Sequence, residues 1–231
     1  MYGLLGKSLK HSLSKAIHER LNPSITYNFY ETDDLKAFFR ARPFVAINVT
    51  NPYKEACIRY LDRLDDSARK IGTVNTVVDK DGDLVGYNTD YDALRTIIKT
   101  RFPKDKESLV GIIGNGATQK TLGFALKDEG YENIMVFART PEAGENDLKD
   151  IEKHRGIRVL VNATPVGMYP NNDQSFDFSL SAFDELKLVF DLVYNPFKTH
   201  LLLAAEQENI DCMNGLSMLL KQAMKAQEIF F

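Results

Sequence analysis

The chain has 231 residues, of which 44% are apolar and 26% charged, and carries a formal net charge of −3. This is enough chain to bury one large core or two smaller ones, and the slight acidity excludes the basic footprint of a nucleic-acid binder or an anionic-membrane binder. No apolar run approaches the roughly 18 residues of a transmembrane helix, and Met1–Lys7 lacks the basic-then-apolar pattern of a secretory leader. The two cysteines, Cys57 and Cys212, lie far apart in sequence and are expected to be reduced and buried, as in a cytoplasmic protein.

Strand-like and helix-like segments alternate along the chain, which predicts an α/β fold with a largely parallel sheet. Residues 2–6 read as an apolar opening strand, followed by a helix from about Ser14 to Leu21 and a strand over 25–30. A helix over 33–39 starts on capping chemistry, Thr32-Asp33-Asp34. Next come a strand over 44–49 and a helix over 52–61 with proline in its first turn. Strands over 71–78 and 84–87 form a hairpin across Asp79-Lys80-Asp81-Gly82. A helix over 91–100 leads into Phe102-Pro103-Lys104-Asp105-Lys106-Glu107, a charged, proline-containing segment that suits a domain boundary. The pattern then restarts with strand 109–113, a glycine loop, helix 121–129 and strand 133–137. Later strands are expected over 159–162 and 188–192, and a final helix over 216–231. The resulting division is 1–100, 101–208 and 209–231.

The chemistry-bearing residues fall on turns. Asn48-Val49-Thr50-Asn51-Pro52-Tyr53-Lys54 follows an apolar strand, so Lys54 is aimed by a rigid element. Val74-Asn75-Thr76 and Tyr87-Asn88-Thr89-Asp90 add amides, hydroxyls and one carboxylate. This set suits a polyhydroxylated small molecule and a proton transfer. Taken singly, Lys54 also reads as a solvated lysine and Asp90 as a helix cap. In His11-Ser12-Leu13-Ser14 the hydroxyls of Ser12 and Ser14 stand at i and i+2, and an extended backbone would point both at one carboxylate. The alternative is that Ser14 caps the next helix. The four histidines show no metal-ligand spacing, and no metal is expected.

Leu109-Val110-Gly111-Ile112-Ile113-Gly114-Asn115-Gly116-Ala117 runs from a strand into a glycine loop that opens a helix. Such a loop lets backbone approach a pyrophosphate, whose charge the helix N–H groups then receive. The next strand ends near Arg139 and Thr140, where an acidic residue would favour NAD and a basic one the 2′-phosphate of NADP. Arg139 therefore predicts NADP, with NAD as the alternative; Glu142 and Glu145 would oppose a phosphate if they faced it. The loop Asn162-Ala163-Thr164-Pro165-Val166-Gly167-Met168 follows a strand, where doubly wound sheets place ligand loops.

Asn48–Lys54, Ile71–Thr76, Asn88–Asp90, Asn162–Met168, Asp191-Leu192-Val193-Tyr194 and Gly215–Gln222, in this order and at these spacings, resemble the shikimate dehydrogenase family over nearly the whole chain. The resemblance implies an amino-terminal α/β substrate domain, a Rossmann-type doubly wound sheet for the cofactor, and a carboxy-terminal helix returning to the substrate domain. It implies reduction of 3-dehydroshikimate to shikimate with NADPH; the alternatives are a sister enzyme acting on quinate or a related hydroxylated ring acid with NAD, and a non-catalytic nucleotide-sensing module on the same fold. The scaffold is compatible with a monomer or homodimer, and the charge gives no reason to expect nucleic-acid or membrane partners. Carried over by motif, Lys54 and Asp90 are the catalytic pair. Ser12 and Ser14 hold the substrate carboxylate, Thr50, Asn75 and Gln222 bind ring hydroxyls, and Tyr194 lies near the carboxylate and nicotinamide. Gly114, Asn115, Gly116 and Ala117 form the phosphate loop, Arg139 and Thr140 flank the 2′-phosphate, and Thr164 and Met218 belong to the cofactor side. The chain departs from the family pattern at Lys15, Ala93, Ala117, Ala138 and Ala143; at the last of these a second basic residue is usual.

Overall fold

The computed structural model describes residues 1–231, which divide into two compact units, Met1–Ala93 with Leu219–Phe231, and Leu94–Met218. In chain order the first unit contains β1 (Tyr2–Gly6), α1 (Ser14–Leu21), β2 (Tyr27–Glu31), α2 (Leu35–Ala41), β3 (Ala46–Val49) and α3 (Tyr53–Ala56). These are followed by β4 (Arg63–Leu64), α4 (Asp66–Ile71), β5 (Thr76–Lys80), β6 (Asp83–Tyr87) and the start of α5 (Thr89–Arg101). Its sheet runs β2-β1-β3-β5-β6-β4. Strand β3 is parallel to β1, with Leu5 opposite Val49, and antiparallel to β5, with Asn48 opposite Thr76; β5 is antiparallel to β6, with Thr76 opposite Tyr87. This register has a consequence for function. The ends of β1, β3 and β6 and the start of β5 share one sheet edge, so the segments after Gly6, Val49 and Tyr87 and the one before Thr76 converge there.

The hairpin turn is Asp81-Gly82, both at positive φ (55° and 92°), the left-handed pair that matches strand twist. Helix α4 has no counterpart among the expected elements, and its last residue, Ile71, is where the sequence suggests that a strand begins. Asp65 accepts from Ala68 N at 2.9 Å to cap it, and Gly72, at φ 76°, ends it, so Ile71 is helical and the strand begins only at Thr76. The helix expected over 52–61 is a single α turn followed by a 3-10 turn over Ile58–Tyr60.

The second unit contains β7 (Leu109–Ile113), α6 (Ala117–Asp128), β8 (Ile134–Ala138), β9 (Asn146–Asp147), β10 (Ile157–Asn162), β11 (Leu188–Asp191), α7 (His200–Gln207) and β12 (Asp211–Met213). The final helix, α8 (Leu216–Phe230), begins at its end. The sheet order is β12-β11-β10-β7-β8-β9, with every pair parallel. Counted from β7 this is the 3-2-1-4-5-6 order of a dinucleotide fold, with its topological switch between β7 and β10. Helix α7 and strand β12 have no counterpart in the sequence-based expectations. The apolar run Leu201-Leu202-Leu203 has no strong flanking signal beyond Thr199, whose hydroxyl accepts from Leu202 N.

Each unit has its own buried core. In the first, Ala226 and Phe230 of α8 pack with Leu4, Leu9 and Tyr27, and Leu5, Ile47, Val74 and Val77 line the other side of the sheet. In the second, Ile113, Phe137, Leu160 and Val189 lie beneath Leu201 and Leu202. The thiols of Cys57 and Cys212 are free. Cys57 is buried as expected, and burial pushes its pKa up to about 12; Cys212, against expectation, is only half-buried.

Candidate active site

Lys54 sits on α3, just past the end of β3. Its backbone is held by Val74 N, which donates to Lys54 O at 2.7 Å, so the side chain departs from a fixed point at the convergent sheet edge. Its ammonium donates to Asp90 Oδ2 at 2.6 Å. One bond to Asp90 leaves further N–H donors on Lys54 and a second carboxylate oxygen on Asp90 to meet a ligand. A polar pair of this kind can give a proton to a carbonyl oxygen while orienting a neighbouring hydroxyl.

Asp90 is not the cap of its helix. Helix α5 starts at Thr89, and Asn88 performs the capping, its Oδ1 accepting from Tyr91 N at 3.2 Å. Asn88 is tied down from its other end by donating to Thr73 O and Oγ1 at 3.2 and 2.8 Å. Asp90 therefore stands in the first turn, where the helix dipole favours a carboxylate, and its oxygens are spared for Lys54.

Asn75 and Thr89 lock β5 to this helix. Asn75 Oδ1 accepts from Thr89 N at 2.7 Å and Asn75 Nδ2 donates to Thr89 Oγ1 at 2.9 Å. Asn48, beneath it, accepts from Tyr27 Oη at 2.7 Å and donates to Thr76 Oγ1 at 3.0 Å. Thr50 is half-buried at the same edge, its backbone N–H bonded to Leu5 O at 2.9 Å. Gln222 is buried on α8, with Nε2 donating to Leu219 O at 2.9 Å. The extended backbone expected through the serine pair is absent. Leu13 has helical angles and Ser14 begins α1, so the i, i+2 argument for parallel hydroxyls does not hold. Nor is Ser14 a cap: Ser12 Oγ accepts from Ser14 N at 3.2 Å.

In the second unit the glycine loop closes on the switch point. Gly114 is at φ 106°, and a Cβ there would stand 2.7 Å from Thr164 Cγ2, so the residue is held to glycine both by conformation and by close approach. Gly116 caps α6 without any side-chain bond, and the first turn carries no acidic residue. A Cβ on Gly116 would meet nothing within 4 Å. An uncapped, twelve-residue helix opening onto free space fits a pyrophosphate. Arg139 and Thr140 are exposed, Tyr194 is half-buried and Met218 is buried.

One organising residue received no role from the sequence. Asp191, fully buried at the end of β11, accepts from Asn162 Nδ2 at 2.9 Å, Val193 N at 3.0 Å and Thr199 Oγ1 at 2.6 Å. Asn162 Oδ1 in turn accepts from Thr164 N and Oγ1 at 2.9 and 2.7 Å. A single carboxylate thus fixes the loops after β10 and β11 and the start of α7. Burial raises its pKa to about 6 against the pull of those bonds. The signal in the sequence was a lone Asp ending the apolar strand Leu188-Val189-Phe190.

Residues 4–77 match the shikimate dehydrogenase substrate binding domain. A shikimate dehydrogenase (NADP(+)) of Clostridium beijerinckii is 32% identical over 246 residues, spanning 99% of this chain and 91% of that protein. The chain belongs to the shikimate dehydrogenase family. Its backbone is also similar to that of shikimate dehydrogenase 1 from Peptoclostridium difficile, with a TM-score of 0.91 and 32% identity over 99% of this chain and 90% of the other. A shikimate 5-dehydrogenase from Listeria monocytogenes, solved in complex with shikimate and NAD, gives a TM-score of 0.82 and 30% identity over 99% and 90% of the two chains.

Proposed function

We propose that this enzyme reversibly reduces 3-dehydroshikimate to shikimate with NADPH, the first unit binding the ring acid and the second the dinucleotide. The observation that carries the reading is the Lys54–Asp90 pair at 2.6 Å on a sheet edge rich in amides and hydroxyls. NADPH, when bound, supplies the hydride. Lys54 hydrogen-bonds the substrate carbonyl oxygen, stabilises the negative charge growing there and passes it a proton. Asp90 holds the ammonium and accepts from the neighbouring ring hydroxyl, so the carbonyl is presented in one orientation. Thr50, Asn75 and Gln222 bind the remaining ring hydroxyls, and Ser12 and Ser14 take the carboxylate. In the second unit Gly114, Asn115, Gly116 and Ala117 hold the pyrophosphate and Arg139 with Thr140 the adenosine ribose. Thr164, Tyr194 and Met218 line the nicotinamide side.

No helix is long and apolar enough to cross a membrane. The compartment proposed is the cytoplasm, in keeping with two free thiols. The test is NADP+ reduction with shikimate, run beside quinate. Turnover with shikimate is the expected result, and turnover with quinate alone would reassign the substrate.

A further inference from the structure

The loop between β8 and β9 holds a carboxylate where the adenosine ribose is expected. In a sheet of this order the ribose is read at the carboxyl end of the second strand, here β8, beside the glycine loop. From Ala138 to Asp147 the chain offers one cation, Arg139, against three anions, Glu142, Glu145 and Asp147. Arg139 is exposed. Glu145 is half-buried and fixed: its Oε2 accepts from Asn115 Nδ2 at 3.0 Å and from Glu142 N at 2.8 Å. Asn115, from the glycine loop, also donates to Thr140 O at 3.3 Å. The Glu145 carboxylate therefore lies in the crevice between the ends of β7 and β8 and is held there from both sides. Its second oxygen, Oε1, has no partner in the protein.

These donors and acceptors fit the pyrophosphate end of a dinucleotide well and the 2′-phosphate end poorly. A dianionic phosphate would meet one exposed guanidinium and a carboxylate that cannot swing away without losing two bonds. A ribose 2′-hydroxyl would instead find in Oε1 an acceptor already in place.

We propose that Glu145 sets the dinucleotide preference of this enzyme, opposing the 2′-phosphate and accepting from the 2′-hydroxyl, so that NAD(H) competes with NADP(H). The inference rests on reading Leu94–Met218 as the dinucleotide-binding unit. That the fold admits NAD is seen in the Listeria monocytogenes relative.

The test is isothermal titration of the whole protein with NADP+ and with NAD+, without substrate, for the unmodified chain, Glu145→Gln and Glu142→Gln. Glu145→Gln is nearly isosteric, and its amide oxygen can still accept from Asn115. The expected result is that Kd for the two nucleotides lies within about tenfold in the unmodified protein. Glu145→Gln then shifts the ratio toward NADP+ by about tenfold, the scale of one charge contact at a partly exposed site, while Glu142→Gln leaves it within about twofold. An unchanged ratio in Glu145→Gln, or an equal shift in Glu142→Gln, overturns the role of Glu145. If Glu145→Gln does not fold, the unmodified protein decides: an NADP+ preference beyond about a hundredfold overturns the proposal. Binding of neither nucleotide overturns the dinucleotide reading itself, and the proposal with it.

Discussion

Lys54 Nζ lies 2.6 Å from Asp90 Oδ2, with 14% and 7% of the two side chains exposed. A pair this far from water is weak evidence for stability, because desolvation offsets much of the attraction between the charges. The first residue comes from the turn after β3 and the second from the first turn of α5, two elements brought together by the register of the sheet. Chemistry explains such a pair better than folding does.

Replacing Lys54 by Ala is expected to lower kcat by about a hundredfold or more, the loss typical of a missing general acid, with KM little changed. The substitution leaves the Asp90 carboxylate largely buried without its cation, so Lys54→Ala should also melt at lower temperature. Steady-state rates on folded protein, checked by circular dichroism, separate the two effects. A kcat within about threefold of the unmodified enzyme removes Lys54 from proton transfer.

Asn88 makes a different kind of contribution. It caps α5 through Tyr91 N and anchors that end of the helix to Thr73. Asn88→Ala loses the cap, typically ~1 kcal/mol, together with two buried hydrogen bonds to Thr73, so a total near 2 kcal/mol is expected. Because Asp90 rides on this first turn, kcat should fall as well while the Lys54 side chain is untouched. Urea unfolding measures the first effect, and rates at saturating substrate the second. A stable, fully active Asn88→Ala protein would show that the first turn is held by other means.

Much of this was legible in the residues. The hairpin at Asp81-Gly82, the glycine loop after β7 and the alternation of strands and helices are local signals, and local chemistry decides them. The helix over 66–71 went unassigned because its capping Asp65 and terminating Gly72 bracket only six residues, too short for helical periodicity to register. Asp90 read as a cap because Asn88, Thr89 and Asp90 all have capping chemistry, and only the buried donor–acceptor pairing with Thr73 selects Asn88. The extended serine pair failed for a related reason: Leu13 already has helical angles before α1 begins at Ser14, so the alternation of an extended strand does not apply to Ser12 and Ser14. Asp191 was invisible as an organiser because its partners Asn162 and Thr199 are distant in sequence and are joined only by the sheet.

Asp191 offers a sharp test of that network. Both of its oxygens accept, and three donors converge on them; an amide that keeps its oxygen toward Asn162 and Val193 turns its N–H₂ to Thr199 Oγ1, whose hydroxyl must then reverse from donor to acceptor. Asp191→Asn is therefore expected to destabilise the second unit by only ~1 kcal/mol, the loss of charge-assisted bonds being partly offset by removal of a buried charge. Affinity for dinucleotide should weaken along with it, since the charge that anchors Asn162, and through it Thr164, is gone. Denaturant unfolding and nucleotide titration check both; an unaltered midpoint would mean that the three bonds are dispensable.

Acid should weaken the first unit through His18. This ring is fully buried, stacked on Tyr27 with centroids 4.4 Å apart, and Gln227 Nε2 donates to its Nδ1 at 2.8 Å. The ring proton is then on Nε2, which has no acceptor, and burial lowers the pKa from 6.5 to about 4. The unfolded chain thus takes up the proton first. The stability that the neutral ring contributes is complete above pH 6.5 and is lost as pH falls through about 4, to an extent on the order of 3 kcal/mol. Asp191 acts with the opposite sign: its pKa is raised from 3.8 to about 6, so its contribution is complete below 3.8 and is lost as pH rises through about 6. His18→Phe keeps the stack and removes the titration. Because the chain has no tryptophan, urea unfolding is best followed by circular dichroism, at pH 7 and again near pH 4.5. Between these the unmodified protein should lose more stability than His18→Phe, and Asp191→Asn should lose more than the unmodified protein. Equal losses in the unmodified protein and His18→Phe would mean that the buried ring does not resist protonation.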